Sequence, residues 1–414
     1  MRFLHLADLH LGKSVYGTSL LDNGDQPVWV EQFLALAEKL RPDAVVIAGD
    51  VYDRSAPSGE AVQLLSHMLT ALHALGIPVM LCAGNHDSVQ RLSFLHPLLA
   101  QEGLHISASL SESPALRHVT LQDEHGPVTF WLMPSVFPAL VSEVLGCERF
   151  ADSDSAVRAL LQRQDVDFAA RNVLVAHQNV TAGGAEAERG GSEAMVGGVG
   201  QIDYTAFDGF DYVALGHIHA ACPVGRDSVR YAGSPLCYHF NETRQPPKGP
   251  VLVELGKKGE KVRTETLVLP PLHPMRELQG TWETLCREAL ADPGRGEYLR
   301  IVVTDRRLSP EISAFFHELY ENRDSIVMEI CTEYEQFTGE TGALSRDDVE
   351  QKSVETLFGD FYTERAGGIP PTEADEALLR FAGELLCHAD PHTPPTEREI
   401  RKLLDFAAGQ EVNA

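Results

Sequence analysis

Cysteine is scarce in this sequence. Its 414 residues include 7 cysteines, at positions 82, 147, 222, 237, 286, 331 and 387. They are too few and too scattered for a disulfide framework, and no two have the CxxC spacing of a thiolate zinc site or a redox motif. Reduced thiols in a cytoplasmic protein are expected. Long apolar runs are also missing. No stretch approaches the roughly 18 apolar residues of a membrane-spanning helix. The opening segment Met1–Leu11 is interrupted by His5, Asp8 and His10, and no small-residue cleavage site follows it, so it does not read as a signal peptide. Positive charge is in short supply too: 34 Lys+Arg stand against 60 Asp+Glu, a net charge of −26. That balance argues against a free-standing nucleic-acid coat, which neutralises phosphates with many basic side chains. It leaves room for an enzyme whose basic surface is local or supplied by a partner.

What is present is a folded composition, with 43% hydrophobic and 23% charged residues. The length suggests two or three domains. Short apolar runs at Phe3–Ala7, Ala44–Ala48, Pro78–Ala83, Val128–Met133, Val173–Ala176 and Tyr212–Leu215 suit strands buried on both faces. Val30–Leu40 and Glu60–Leu75 carry helical apolar faces between them. This alternation predicts an α/β architecture. Val251–Leu255 and Thr264–Leu269 would close the sheet, and Pro270-Pro271 marks a boundary. A smaller α/β unit follows. Its expected strands are Met275–Leu278, Tyr298–Thr304 and Ile326–Thr332, and its expected helices are Trp282–Leu290 and Pro310–Tyr320. The second helix has Ser309 as N-cap and Pro310 at its first position. Residues 336–352 read as a linker. Three amphipathic helices are expected at Val354–Glu364, Glu373–Cys387 and Glu397–Ala407, with apolar faces suited to a partner's groove. The expected domains are 1–270, 271–338 and 339–414. Thr181–Gly200 is Gly-rich and reads as a loop beside the site that His177 serves.

The strongest signal is where metal-binding side chains fall. Five apolar strands each end in such residues: Asp8-Leu9-His10, Gly49-Asp50-Val51-Tyr52-Asp53, Gly84-Asn85-His86-Asp87, His177, and Gly216-His217-Ile218-His219. Ligands of α/β sheets bind outside the carboxyl ends of the strands. A glycine before Asp50, Asn85 and His217 permits a tight turn and close backbone approach. Any one of these residues could be a cap, a turn former or a hydrogen-bonded core histidine. Five such endings in succession are hard to assign to five unrelated causes.

The donors are Asp, His and Asn, without thiolate. That set suits Mn²⁺ or Fe²⁺, admits Zn²⁺, and is too nitrogen-rich for Ca²⁺ or Mg²⁺. Seven ligands exceed the needs of one ion and suit two that share a carboxylate. Two ions about 3.5–4 Å apart can activate a water and hold a phosphoryl oxygen together. His86 directly follows a ligand and is free for another role, stabilising the phosphoryl group or protonating the leaving oxygen. Asp87 is placed by sequence to orient that imidazole and favour its charged form. Asp53 reads as an orienting residue rather than a ligand.

Asp8-x-His10, Gly49-Asp50-x-x-Asp53, Gly84-Asn85-His86-Asp87, His177 and Gly216-His217-x-His219 together resemble the calcineurin-like metallophosphoesterases. Phe3–Lys13, Tyr212–His219, Ala232-Gly233-Ser234-Pro235 and Ser353–Tyr362 are similar to the SbcD-type nuclease subunits within that superfamily. The resemblance spans nearly the whole chain and is strongest over 1–240. It implies a four-layer α-β-β-α sandwich, a small α/β capping domain that positions DNA, and a helical tail that binds an SbcC-type coiled-coil ATPase. It also implies two Mn²⁺ ions. Asp8, His10 and His219 would hold one, and Asn85, His177 and His217 the other. Asp50 would bridge them, and His86 would be the catalytic histidine. The implied assembly is a two-plus-two heterotetramer. It degrades DNA double-strand ends and opens hairpins with ATP, and it cuts single strands.

Two other readings fit parts of the chain. One keeps the chemistry but acts on a nucleotide or a phosphoprotein; the extra chain after 270 speaks against it. The other is a catalytically dead scaffold; the intact ligand set speaks against that. The charge is unevenly spread. Residues 1–250 hold 28 acidic and 16 basic residues, 251–300 hold 8 of each, and 301–400 hold 22 and 8. The isolated chain is therefore expected to bind duplex DNA poorly, with its partner supplying basic surface. Lys257, Lys258, Lys261 and Arg263 are a minor candidate for phosphate contacts, and a solvated face is the simpler reading.

Overall fold

Alternate side chains of the strand Ala44–Ala48 enter two different cores, and the architecture follows from that. In the computed structural model, which describes residues 1–110, 114–185 and 200–333, Ala44, Val46 and Ala48 face Phe3, Met80, Phe130, Val175 and Tyr212. Val45 and Ile47 point the other way, among Trp29, Phe33, Leu65 and Met68. The strand at Tyr212–Gly216 divides likewise: Tyr212 and Ala214 join the inner core, and Val213 and Leu215 pack with Val157 and Leu160. Two sheets therefore lie face to face with helices on both outer surfaces, a four-layer α-β-β-α sandwich. Strands covered on both faces need no polar alternation, which is why their sequences read as continuous apolar runs.

In chain order the main elements are β1 (Arg2–Leu6), α1 (Asp25–Leu40), β2 (Ala44–Ala48), α2 (Gly59–Ala74), β3 (Val79–Cys82), β4 (Leu104–Ser107), β5 (Arg117–Asp123), β6 (Gly126–Met133), α3 (Pro138–Leu145), α4 (Ser153–Gln162), β7 (Arg171–His177), β8 (Tyr212–Gly216), β9 (Pro223–Val224), β10 (Arg226–Tyr231), β11 (Val251–Glu254) and β12 (Arg263–Thr266). The first sheet has the order β12-β11-β1-β2-β3-β4 and the second β9-β10-β8-β7-β6-β5. β1 to β4 run parallel, and so do β6, β7, β8 and β10. Antiparallel strands β11 and β5 flank these parallel sets. Helices α1 and α2 cover the first sheet through Trp29, Phe33, Leu65 and Met68. Helices α3 and α4 cover the second through Val141, Ala156, Val157 and Leu160. Ser58 caps α2 by accepting the Ala61 N–H at 3.2 Å, and Asp152 caps α4 by accepting the Ser155 N–H at 2.7 Å.

One polar pin crosses the dry inter-sheet core. His5 Nε2 lies 3.1 Å from the Leu215 carbonyl, which can only accept, so Nε2 carries the proton. Its Nδ1 then accepts from the Tyr212 hydroxyl at 3.0 Å. Burial pushes this imidazole down to about 3, so it stays neutral.

The later segment adds β13 (Met275–Gly280), α5 (Trp282–Ala291), β14 (Tyr298–Val303), α6 (Pro310–Glu321) and β15 (Ile326–Thr332). Its strands form a separate parallel sheet, β13-β14-β15. A small core of Leu285, Leu299, Ile301, Ile312 and Phe316 holds the helices to it. Tyr298 ties this sheet to the start of α1: its hydroxyl donates to the buried Asp25 carboxylate and accepts from Asn23 Nδ2 at 3.2 Å. Ser309 and Pro310 stand where the sequence puts them, but the Ser309 hydroxyl makes no capping bond.

The described residues all fall within one compact unit, Met1–Glu335. The expected linker 336–352, the three expected helices after it and the segment Ser353–Tyr362 all lie outside the described residues. So does most of the loop Thr181–Gly200. Among the described residues no helix is long and apolar enough to cross a membrane. The lysine-rich stretch is not near the strand ends that carry the motifs. It joins β11 to β12, and Glu254 of β11 pairs with Arg2 at the opposite end of β1. There Lys258 pairs with Asp211 and Lys261 with Asp227, each at 2.9 Å, on a solvated face.

Candidate metal centre

Parallel strands end on one side, so β1, β2 and β3 deliver their following loops to the same edge. The second sheet brings β7 and β8 against that edge. The junction is close. His177 Nδ1 donates to the Ala48 carbonyl at 2.9 Å, and the His217 backbone N–H donates to Asp8 Oδ1 at 2.9 Å. The loops after β1 and β2 are stitched together as well: Asp8 N–H bonds the Gly49 carbonyl at 3.0 Å and His10 N–H the Asp50 carbonyl at 2.9 Å.

All three glycines flagged by the sequence are sterically required. A Cβ on Gly216 would sit 1.8 Å from the Ala48 carbonyl oxygen. One on Gly84 would sit 2.1 Å from Asp50 Oδ1, and one on Gly49 would sit 2.3 Å from His177 Nδ1. Four of the motif residues are themselves strained. Asp8, His10, Asp50 and His217 have φ of 53°, 42°, 48° and 108°. Side-chain-bearing residues seldom adopt such angles, and each costs about 1–3 kcal/mol. The backbone is bent here so that side chains converge.

They converge into three overlapping groups, Asp8–His10–His219, His10–Asp50–His86 and Asp8–Asp50–His177, with ligand atoms within 4.8 Å of one another in each. Asp50 is central. Its Oδ2 lies 3.4 Å from His177 Nε2, 3.6 Å from His10 Nε2 and 4.0 Å from His86 Nε2. Asn85 Oδ1 is 3.0 Å from His177 Nε2, and the rings of His177 and His217 meet edge to face at 5.4 Å. The structure thus gathers Asp8, His10, Asp50, Asn85, His177, His217 and His219 at one edge.

The donor arrangement fits cations. His177 gives its Nδ1 proton to Ala48, so in the neutral ring Nε2 is a lone pair. That lone pair faces two more acceptors, Asn85 Oδ1 and Asp50 Oδ2, and only a proton or a cation between them makes the contact favourable. Asp8 Oδ2 and both ring nitrogens of His10 are buried without a hydrogen-bond partner, an arrangement that folded proteins otherwise avoid. The charges point the same way. Burial lowers the His177 imidazole, but Asp50 and Asp8 outweigh it and bring it up to about 9. Burial likewise would raise Asp50, yet His177, His10 and His86 hold it far below the carboxylate range. Asp8 is raised to about 7, first by burial and also by Asp50.

His86 differs from the other histidines. Its side chain is 19% exposed, against 1–2% for His10, His177 and His219. Its Nδ1 donates to the Asp53 backbone carbonyl at 2.9 Å, which turns Nε2 toward Asp50. This corrects the role expected of Asp87, which does not orient the imidazole. Its carboxylate accepts the backbone N–H groups of Val51 at 3.1 Å, Tyr52 at 3.0 Å and Gly84 at 2.9 Å, so it clamps the loop after β2 to the loop after β3. Asp53 is an orienting residue: its carboxylate takes the Lys13 ammonium at 2.7 Å and faces His10 Nδ1 at 3.6 Å.

Several supporting residues escape a reading by strand ends. Gln26 donates to the His10 carbonyl at 2.8 Å, and the Tyr238 hydroxyl donates to the Leu9 carbonyl at 2.8 Å, fixing the loop after β1 from below. Glu242 is buried with its Oε1 3.3 Å from His219 Nδ1. Burial would raise its carboxyl, but His219 and Lys248 hold it below the usual range. Glu242 lies in the polar run Asn241–Arg244, and nothing in that run distinguishes it from a surface acid.

Comparison with known proteins agrees with this geometry. Residues 1–221 match the family model described as calcineurin-like phosphoesterase. Residues 271–366 match the one described as type 5 capsule protein repressor C-terminal domain. A protein of Staphylococcus saprophyticus, named as the SbcD subunit of the nuclease SbcCD, is 28% identical over 392 residues, 93% of this chain and 99% of that protein. A protein of the same name from Staphylococcus epidermidis is 28% identical over 369 residues, 87% of this chain and 92% of that protein.

Proposed function

This chain belongs to the calcineurin-like phosphoesterase family and is a metal-dependent phosphodiesterase, and from that premise we propose that it is the DNA nuclease subunit of an SbcCD-type complex. The observation that carries the reading is the convergence of Asp8, His10, Asn85, His177, His217 and His219 around a central Asp50, in a chain whose similarity to an SbcD nuclease subunit extends over 93% of its length. Asp8, His10 and His219 would hold one divalent ion, Asn85, His177 and His217 would hold the other, and Asp50 would be shared by both. Mn²⁺ suits this mixed oxygen and nitrogen set. When bound, the two cations supply Lewis acidity toward a phosphoryl oxygen and lower the pKa of water.

The chain's own residues do the rest. The convergent carboxylates and imidazoles fix where a phosphodiester can lie. His86, more open than His10, His177 and His219, stabilises the phosphoryl oxygens or gives a proton to the leaving oxygen. The sheet β13-β14-β15 and its helices act as the capping domain that positions DNA, within the divisions 1–270, 271–338 and 339–414. The C-terminal segment binds an SbcC-type coiled-coil ATPase in the cytoplasm, and two copies of each chain form the working complex. That complex degrades double-strand ends and opens hairpins with ATP, and it cuts single strands.

The test is hydrolysis of DNA by the metal-free chain supplied with Mn²⁺, with and without the ATPase. Duplex-end and hairpin cutting that requires both the ATPase and ATP supports the reading. Turnover of small phosphoesters or phosphoproteins alone moves it to another substrate class. No turnover with metal bound makes the chain a scaffold.

A further inference from the structure

Beside His219, a buried carboxylate meets a largely buried ammonium. Glu242 is 1% exposed. Its Oε1 faces His219 Nδ1 at 3.3 Å, while its Oε2 accepts from Lys248 Nζ at 2.8 Å and from the Tyr238 backbone N–H at 3.2 Å. Lys248 Nζ also donates to the His219 backbone carbonyl at 2.7 Å and to Ser234 Oγ at 2.8 Å. An ammonium has three protons, and these three acceptors use them all. Lys248 therefore grips His219 twice, directly at its carbonyl and through Glu242 at its ring. Both residues lie downstream of the last strand-end motif, so the chain returns to place them.

We infer that Glu242 and Lys248 form a positioning pair that fixes the tautomer and aim of His219 for a divalent cation. The inference rests on the assignment of His219 as a ligand. A carboxylate only accepts, so the proton of the neutral His219 ring sits on Nδ1. Nε2 is then the unprotonated nitrogen, the one that could serve the group Asp8–His10–His219. Lys248 and the Tyr238 N–H hold Oε2, and that anchors the carboxylate with Oε1 turned to the ring. Carboxylate partners of this kind raise ligand basicity and hold ring orientation, and their loss costs about 10–100-fold in metal affinity.

The substitution Glu242→Gln discriminates sharply. Two donors, Lys248 Nζ and Tyr238 N–H, already point at Oε2, so the amide oxygen must stay there. The amide NH₂ then faces His219 Nδ1 and donates to it, which forces the ring proton onto Nε2 and blocks the metal-facing lone pair. The experiment is calorimetric titration of the metal-free full-length chain with Mn²⁺, run alongside long-range ¹H–¹⁵N spectra of the imidazoles and thermal unfolding. Wild type should bind two ions, and His219→Ala should lose one binding step. Glu242→Gln should weaken that same step about 10–100-fold and leave the other unchanged. It should also move the His219 proton from Nδ1 to Nε2. Should Glu242→Gln fail to fold, Lys248→Met provides the second arm and should weaken the same step. If His219→Ala removes a step while both pair variants bind as wild type does, the positioning role is wrong and the ligand assignment stands. If His219→Ala changes no step, the ligand assignment fails and this inference falls with it.

Discussion

Asp50 Oδ2 lies 3.4 Å from the Nε2 of His177, across the seam between two sheets whose strands never pair with each other. Asp50 lies in the loop just after β2, and His177 ends β7. Nothing holds a buried carboxylate against that ring nitrogen unless a positive charge is shared between them. The sandwich is built so that this seam, and not the middle of either sheet, carries the site.

His86 reaches the open side of the seam, and its ring is fixed by the Asp53 carbonyl rather than by a neighbouring carboxylate. Replacing it should impair the proton or charge step without emptying the site. The expected result for His86→Ala is a fall in the rate of DNA hydrolysis of about 10²-fold or more. Elemental analysis should find the metal content of the purified variant equal to wild type.

Gly216 sits with its missing Cβ 1.8 Å from the Ala48 carbonyl. Gly216→Ala has to push the two sheets apart at their carboxyl ends. It should cost about 3 kcal/mol, seen as a lowered urea midpoint. Gly59, in the first turn of α2, offers the contrast, because a Cβ there meets nothing within 4 Å. Gly59→Ala should stabilise the chain by about 0.5–1 kcal/mol through the lost freedom of the unfolded state.

Much of this was legible in the sequence because the strands are short, doubly buried and apolar. Ala44–Ala48 and Ile326–Thr332 can be bounded to the residue from sequence alone, and the five motif-bearing strand ends are where the structure puts them. The strands Arg117–Asp123 and Arg226–Tyr231 were not legible. Both mix exposed polar residues with few inward-facing apolar ones, and propensity weighs them as loops. Helices α3 and α4 are hard to read for a different reason: at 8 and 10 residues each offers too few turns to show a helical period. The role of Asp87 is not legible because adjacency in sequence is not adjacency of side chains. After Gly84 the chain turns so that Asp87 points back at backbone N–H groups, while His86 points into the cleft. Glu242 and Lys248 could not be read at all, since their meaning comes only from the fold that brings them beside His219.

Acid should weaken the fold through Asp123. Its carboxylate is hydrogen-bonded by Arg171, with Nη1 at 2.9 Å from Oδ2, and it pairs with the Met1 amino group at 2.6 Å. The Arg171 bond holds the carboxyl well below its ordinary range. A carboxyl lowered in the folded state stabilises the fold fully above its unfolded pKa of about 3.9, and that stabilisation fades as the pH falls below it. The stability gap between wild type and Asp123→Asn, measured by urea unfolding, should therefore be wide at neutral pH and narrow toward pH 3. A gap that widened in acid would reverse the assignment.

In the proposed centre, two ions share Asp50. The direct measurement is the number of Mn²⁺ ions bound per chain by metal-free wild type, Asp8→Ala and Asp50→Ala, read by calorimetry and checked by elemental analysis. Wild type should bind two, and Asp50→Ala should retain less metal than Asp8→Ala, because in the proposed centre Asp50 would touch both ions. A single ion in wild type, or equal metal content in the two variants, would contradict the shared site.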